Sequence, residues 1–438
     1  MATKDISQCI ICVKCNQPKT VYHWCPNSKE KKSLETKVIS LDPNWTSGNK
    51  NVDAFIKEIQ SNAQNQYESL KWIPYDHLSQ IEYLAKGGFG TIHKAVWNHE
   101  FGTTDVAIKR IYNSQDISSE FLNELKRYLQ CTSIASARQY VIKAYGISRD
   151  PETGEFLMIT QYAEMGDLRD FSNNHFDDSI WWNKTIIDLI FGIAKGLIII
   201  HSTRLVHRDL HSGNVLIKRQ QFSSTKYSSI GDLGLCQPAD QILFSNPTEG
   251  IHGVIPYIAP EILLGQTYSP AADIYSFGII MWELSMKNKP FCDRPHDEKL
   301  VYDILKGVRP KIPAHMPESY VNLMKKCWDK NPRNRPTSFE IGETIEFWKK
   351  WCLNTTLKVN TELLERFKKE KKQKTHPNAI YTSRYLRYKT IGQNQKYIDE
   401  KRLYTNFPPK RWDDPRGFSQ IFIALPENTE NSENNIKS

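Results

Sequence analysis

The chain has 438 residues, 39% hydrophobic and 24% charged, with a net charge of +9; these are ordinary proportions for a globular protein with ample material for a core. No apolar run approaches the roughly 18 residues of a membrane span, and the start Met1-Ala2-Thr3-Lys4-Asp5 lacks a signal-peptide core, so a cytoplasmic or nuclear protein is expected. The cysteine count is odd, and Cys131, Cys236, Cys292, Cys327 and Cys352 are scattered as buried free thiols would be, which argues against a disulfide framework.

The remaining cysteines, Cys9, Cys12, Cys15 and Cys25, cluster at the start with His23 beside the last. Tetrahedral zinc wants four close thiolates or imidazoles. Cys12, Cys15 and Cys25 could supply three, with Cys9 or His23 as the fourth, because Ser28 stands where a second CxxC would close. The alternative is a Cys-rich leader without metal. Residues 29–75 read as a polar linker with one helix around Val52 to Leu70, carrying Phe55, Ile56, Ile59 and Tyr67. That helix either packs on the following domain or merely links to it.

From Ala85 to Ile92 the chain carries Gly87, Gly88, Phe89 and Gly90. Missing side chains let backbone N–H groups approach phosphates closely; an ordinary hairpin turn is the competing reading. In Val106-Ala107-Ile108-Lys109, strand periodicity puts Ala107 and Lys109 on one face and Val106 and Ile108 on the other. Phe121, Leu122, Leu125 and Tyr128 then recur at helical spacing after the cap candidates Ser118 and Ser119, with Glu124 flanking the stripe. Phe156 to Ala163 reads as a buried strand containing Thr160.

The stretch from Leu205 to Asn214 spaces a carboxylate, Asp209, and an amide, Asn214, five positions apart, as a proton acceptor and a metal ligand for phosphoryl transfer require. Asp232, within Ile230-Gly231-Asp232-Leu233-Gly234, offers the hard oxygen that magnesium prefers. Ser269 and Pro270 make a helix start before Asp273-Ile274-Tyr275-Ser276-Phe277-Gly278.

In this order and spacing the segments resemble the eukaryotic protein kinase superfamily, and most of all its tyrosine-kinase-like group and the fungal expansion kinases. The resemblance implies an α+β, bilobal fold, with an antiparallel β N-lobe carrying helix αC and a mainly α C-lobe. It implies ATP and Mg2+ (or Mn2+) as cofactors and a protein substrate as partner. On this pattern Ala85, Gly87, Gly88, Phe89, Gly90, Ile92, Ala107, Lys109 and Thr160 bind the nucleotide, Thr160 as gatekeeper and Lys109 on the α- and β-phosphates. Glu124 pairs with Lys109, Asp209 accepts the hydroxyl proton, and Asn214 and Asp232 hold the metal. Arg208 is the family's arginine for gripping a phosphorylated activation loop, where Ser245 and Thr248 supply hydroxyls. Glu261 of Ala259-Pro260-Glu261 pairs with Arg335 as a structural element.

The chain departs from the pattern at Ala85 and Leu233, and more consequentially at His211 and Val254. Serine/threonine kinases usually carry a lysine and a threonine at those last two positions, both serving the catalytic aspartate. The expected function is transfer of the γ-phosphoryl of ATP to a protein hydroxyl, of serine or threonine, in intracellular signalling; the alternative is a pseudokinase scaffold. The resulting division is a Cys-rich segment at 1–28, a linker at 29–75, a kinase domain at 76–352 and a basic, then disordered, tail at 353–438. The tail's run from Arg366 to Lys374 is a nuclear signal, an anionic contact or a solvated helical face. Nucleic acid is not an expected partner, because Phe367 is the main aromatic interleaved with those lysines.

Overall fold

The computed structural model describes residues 45–63, 69–86, 90–111, 114, 117–133, 139–174, 185–219, 226–238, 251–313, 316–354 and 374–386. The first element, α1 (Lys50–Asn62), starts at Asn49, whose side chain accepts from the amides of Asn51 and Val52. It ends eight residues before Leu70, shorter than its sequence pattern suggests. Ala63 is already extended, and Ser61 turns its hydroxyl back onto the Glu58 carbonyl, the local competition that makes serine a poor helix interior. Val52, Phe55 and Ile56 are buried, so α1 packs rather than merely links.

Six strands form one sheet: β1 (Lys71–Trp72), β2 (Leu78–Lys86), β3 (Gly90–His99), β4 (Gly102–Ile111), β5 (Ala144–Arg149) and β6 (Phe156–Gln161), in the order β1-β5-β6-β4-β3-β2. Only β1 runs parallel to its neighbour. Period-two alternation splits β4 and β6 as expected. Val106, Ile108, Leu157 and Ile159 fill a core on one face, while Phe156 and Met158 join the larger core on the other. Helix α2 (Ser119–Thr132) follows β4, capped by Ser118, whose hydroxyl accepts from the Phe121 amide. Phe121, Leu125 and Tyr128 are buried. Lys126 of α2 lies 5.5 Å from the Phe55 ring of α1.

The second lobe is built on two buried helices, α4 (Ile186–Ser202) and α6 (Pro270–Met286), after a short α3 (Leu168–Asn174). Both are apolar nearly all round, as fully enclosed helices must be. The hairpin β8 (Val215–Arg219) and β9 (Lys226–Ile230) lies against α4. At Gly192 of α4 an added Cβ would sit 2.4 Å from the Ser228 hydroxyl, so glycine lets helix and hairpin close. Short strands β7 (Leu205–Val206) and β10 (Gln237–Pro238) pair with each other. Beyond β11 (Ile251–Gly253) come α5 (Pro260–Leu263), α7 (Glu298–Leu305), α8 (Glu318–Cys327) and α9 (Ser338–Asn354). The last described segment, 374–386, returns to this lobe and ends in β12 (Arg384–Leu386), antiparallel to β11. The sequence offers no sign of that pairing. Cys131, Cys236, Cys292 and Cys327 are buried and form no disulfide among the described residues, and no helix among those residues is long and apolar enough to cross a membrane.

Candidate active site

The cleft between the lobes collects the singled-out residues from six separate segments. Lys109 Nζ lies 2.8 Å from Glu124 Oε1 of α2 and 2.8 Å from Asp232 Oδ1. Burial works against the charge of the lysine, but Asp232 and then Glu124 outweigh it and hold the ammonium above its ordinary value. Burial likewise opposes ionisation of both carboxylates. Lys109 more than offsets this at Asp232, which sits below the usual carboxylate range, whereas Glu124 stays above it. Thr160 is buried, its hydroxyl 3.5 Å from the Ala107 carbonyl. Ala85 pairs with Ile92 across β2 and β3, flanking the glycine loop; Gly87, Gly88 and Phe89 lie outside the described residues, and Gly90 opens β3.

The loop carrying Asp209 is held by its backbone. Asp273, at the start of α6 and 1% exposed, accepts from the His207 amide at 2.8 Å and the Arg208 amide at 3.0 Å, and from His201 Nε2 at 2.9 Å. These bonds fix Arg208 at φ 72, a left-handed conformation costly for a side chain with a Cβ. His207 receives the Asp209 amide on Nδ1 at 3.3 Å, and its Nε2 reaches the Gly231 carbonyl at 3.1 Å, so the proton belongs on Nε2. The loop is thereby tied to the segment carrying Asp232. Asn214 donates its amide nitrogen to the Asp209 carbonyl at 2.9 Å. Its oxygen is therefore the atom turned away from that carbonyl, which with the Asp232 carboxylate makes a pair of hard oxygens suited to magnesium.

His211 occupies the position of the missing lysine. Its Nδ1 accepts from the Gly213 amide at 3.0 Å, which leaves the ring proton on Nε2, 3.7 Å from Asp209 Oδ2. A donor thus still faces the carboxylate. Val254 is buried and apolar, and the polar link between the two loops runs through other groups. Tyr257 donates to Glu283 Oε2 at 2.6 Å and Ser212 donates to Glu283 Oε1 at 2.9 Å. Burial raises the pKa of both Tyr257 and Glu283.

Three positioning groups escaped the sequence reading. Arg127 of α2 donates to the carbonyls of Leu233 at 3.3 Å and Gly234 at 2.7 Å, bracing the Asp232 segment against the helix that carries Glu124. Glu283 and Ser212 are the other two: Glu283 stands outside every motif named above, and Ser212, though inside the stretch from Leu205 to Asn214, carries no role that the spacing of that stretch assigns. Arg208 stacks 4.3 Å over the Tyr268 ring. Glu261 and Arg335 form the expected two-pronged pair, at 2.6 and 2.8 Å. Ser245, Thr248, the basic run up to Gln373, and Cys9, Cys12, Cys15, His23 and Cys25 lie outside the described residues. Among the described residues no group of three His, Cys, Asp or Glu side chains is placed to hold a metal.

Comparison with known proteins agrees with this geometry. Residues 78–345 match the protein tyrosine and serine/threonine kinase family. A Dictyostelium discoideum protein named as a probable serine/threonine-protein kinase is 30% identical over 65% of this chain and 16% of its own length. The RGS domain-containing serine/threonine-protein kinase A of the same organism is 29% identical over 63% of this chain and 23% of its own. The chain thus spans under a quarter of the length of these relatives. With more than half of its residues matched and the cleft assembled as described, the chain belongs to the protein tyrosine and serine/threonine kinase family.

Proposed function

We propose that the protein is an active ATP-dependent protein kinase acting on serine or threonine hydroxyls. The observation that carries this reading is the closed triad of Lys109, Glu124 and Asp232 standing beside an intact Asp209 and Asn214. Asp209 takes the proton of the acceptor hydroxyl as its oxygen bonds to the γ-phosphorus and the bond to the ADP oxygen breaks. Lys109, set by Glu124, holds the α- and β-phosphates, with Ala85, Gly87, Gly88, Phe89, Gly90, Ile92, Ala107 and Thr160 around the nucleotide. Magnesium would be held by Asn214 and Asp232 and would neutralise charge on the phosphates. The His211 ring supports activity over a scaffold role, because its Nε2 edge stands 3.7 Å from Asp209 Oδ2 and keeps a polar group near the base where the lysine is lost. Serine/threonine specificity is supported by the names of the relatives, and the tyrosine-kinase-like placement by the motif set itself. The test is transfer of labelled phosphate from Mg-ATP to the protein or a generic substrate, against Asp209→Asn. Transfer by the wild type that falls by at least about a hundredfold in the variant supports the reading; equal rates, or none from wild type that binds ATP, defeat it.

A further inference from the structure

The best-defined unexpected contact is the return of segment 374–386 to the catalytic lobe. Its anchor is Tyr381, 6% exposed, whose hydroxyl donates to the Pro290 carbonyl at 2.9 Å and whose carbonyl accepts from Arg169 at 3.2 Å. His296 receives it, with its ring edge-on to Tyr381 and its amide donating to the Asn378 carbonyl at 2.9 Å. From there the chain runs antiparallel to β11, pairing Gly253 with Arg384, His252 with Tyr385 and Ile251 with Leu386. Leu386 packs on the core.

The edge so covered lies beside the base. An ideal Cβ on Gly253 would stand 3.5 Å from Asp209 Oδ1, and His252 is near enough to feel the Asp209 charge. A peptide added along this strand would carry its side chains beside Asp209. Adding a strand to an exposed edge is a general way to bind extended peptides, main-chain bonds supplying affinity and side-chain pockets specificity. The tail uses that mode, and it brings hydroxyl residues with it. Thr382 and Ser383 precede Arg384, and the Ser383 hydroxyl is buried with no hydrogen-bond partner among the described residues.

We propose that β12 is an intramolecular occupant of the substrate-peptide edge: the chain's own tail adds itself to β11 where a substrate strand would add, and so blocks substrate entry. This rests on the kinase reading for the identity of the edge. A tethered segment competes at millimolar effective concentration, so even a weak strand of three residues holds off a dilute substrate. Substrate access then depends on whatever lifts Tyr381 and Arg384 away.

The test uses the full chain and its Arg384→Pro/Tyr385→Pro variant. Alternate residues of an antiparallel strand donate to the partner, so two adjacent prolines remove an inward donor whichever residue supplies it. Tyr385 is 52% exposed, and a thermal melt checks that the fold survives; Leu386→Glu, which spares the backbone, replaces the pair if it does not. A fluorescein-labelled peptide copying residues 376–386 is titrated by anisotropy. The variant is expected to bind it about tenfold more tightly than wild type, and to show a similarly lower KM for a generic serine/threonine peptide with the KM for ATP unchanged. Equal peptide affinity for the two proteins overturns the proposal. Tighter binding with an unchanged KM for the substrate peptide also overturns it, since the strand would then lie off the substrate path. If the variant gains peptide binding but neither protein transfers phosphate, the kinase reading fails while occupation of the edge by the tail stands.

Discussion

Replacing Asp273 by asparagine should disable phosphoryl transfer without touching a nucleotide contact. The carboxylate accepts three hydrogen bonds, from the amides of His207 and Arg208 and from His201 Nε2. An amide keeps one oxygen, and its NH2 must then face a donor. If the oxygen stays with the two histidines, as the larger number of donors favours, the Arg208 bond is lost. Bonds to a charged group are worth about 1.5–3 kcal/mol each, and holding a residue such as Arg208 at φ 72 costs about 1–2 kcal/mol. The two quantities are comparable, so the strained residue relaxes once its bond is gone and Asp209, the next residue, moves with it. A displacement of about 1 Å at a reacting group costs on the order of a hundredfold in rate. We expect kcat to fall by about that factor, the ATP dissociation constant to change less than about threefold, and the melting temperature to drop by about 5–10 °C. Steady-state kinetics, calorimetric ATP titration and a thermal melt measure all three. A variant that melts lower yet keeps kcat within about threefold of wild type would refute the link from the Asp273 bonds to the placement of Asp209.

Lys109→Met should abolish transfer and weaken ATP binding while the protein stays folded, because Lys109 acts at the cleft face of β4 rather than filling a core; activity within a few-fold of wild type contradicts the assignment. Lys218 is fully buried, donates to Gln161 at 2.8 Å, and burial pushes its pKa down to about 8 from 10.5. The unfolded chain therefore holds a proton between pH 8 and 10.5 that the native state has released, and native stability rises with pH across that window. Lys218→Met should be more stable than wild type by up to about 3 kcal/mol at pH 7, less the lost Gln161 bond, with the advantage vanishing above pH 10.5; melts at pH 7 and 10 showing a constant difference would contradict this. Any zinc found by metal analysis of reductively purified protein should disappear on removal of residues 1–28 while ATP binding persists; zinc-free wild type leaves the leader without metal.

The cleft groups Lys109, Glu124 and Asp232 were legible because each sits in a short motif whose spacing is dictated by local geometry. The phase of Ala107 with Lys109 needs only strand periodicity, and the stripe of Phe121, Leu125 and Tyr128 only the helical repeat. What the sequence concealed is long-range. Arg127 reaches carbonyls more than a hundred residues away, and a carbonyl carries no side-chain signature. The link from Ser212 through Glu283 to Tyr257 joins three segments by single residues. β12 has only three residues, too few for alternation to register, and its partner lies on the far side of the helical lobe in sequence. The helix before the domain ran shorter than its apolar spacing because periodicity does not weigh the cost of Ser61 and Asn62 at its end.

The packing of α1 redraws where the folding unit begins. The family match starts at residue 78, yet Val52, Phe55 and Ile56 are 0–5% exposed in the same core as Phe121, Leu125 and Tyr128, and Trp45 stacks on Trp72 at 6.3 Å between ring centres. Burying three such side chains is worth on the order of 5 kcal/mol, a large part of the margin by which an ordinary domain stays folded. A protein cut at the family boundary would expose the back of the helix that carries Glu124, and with it the support that keeps Glu124 against Lys109. Ancestry counts this chain's kinase from Leu78; its mechanics start some thirty residues earlier, at the tryptophan that closes over the first strand.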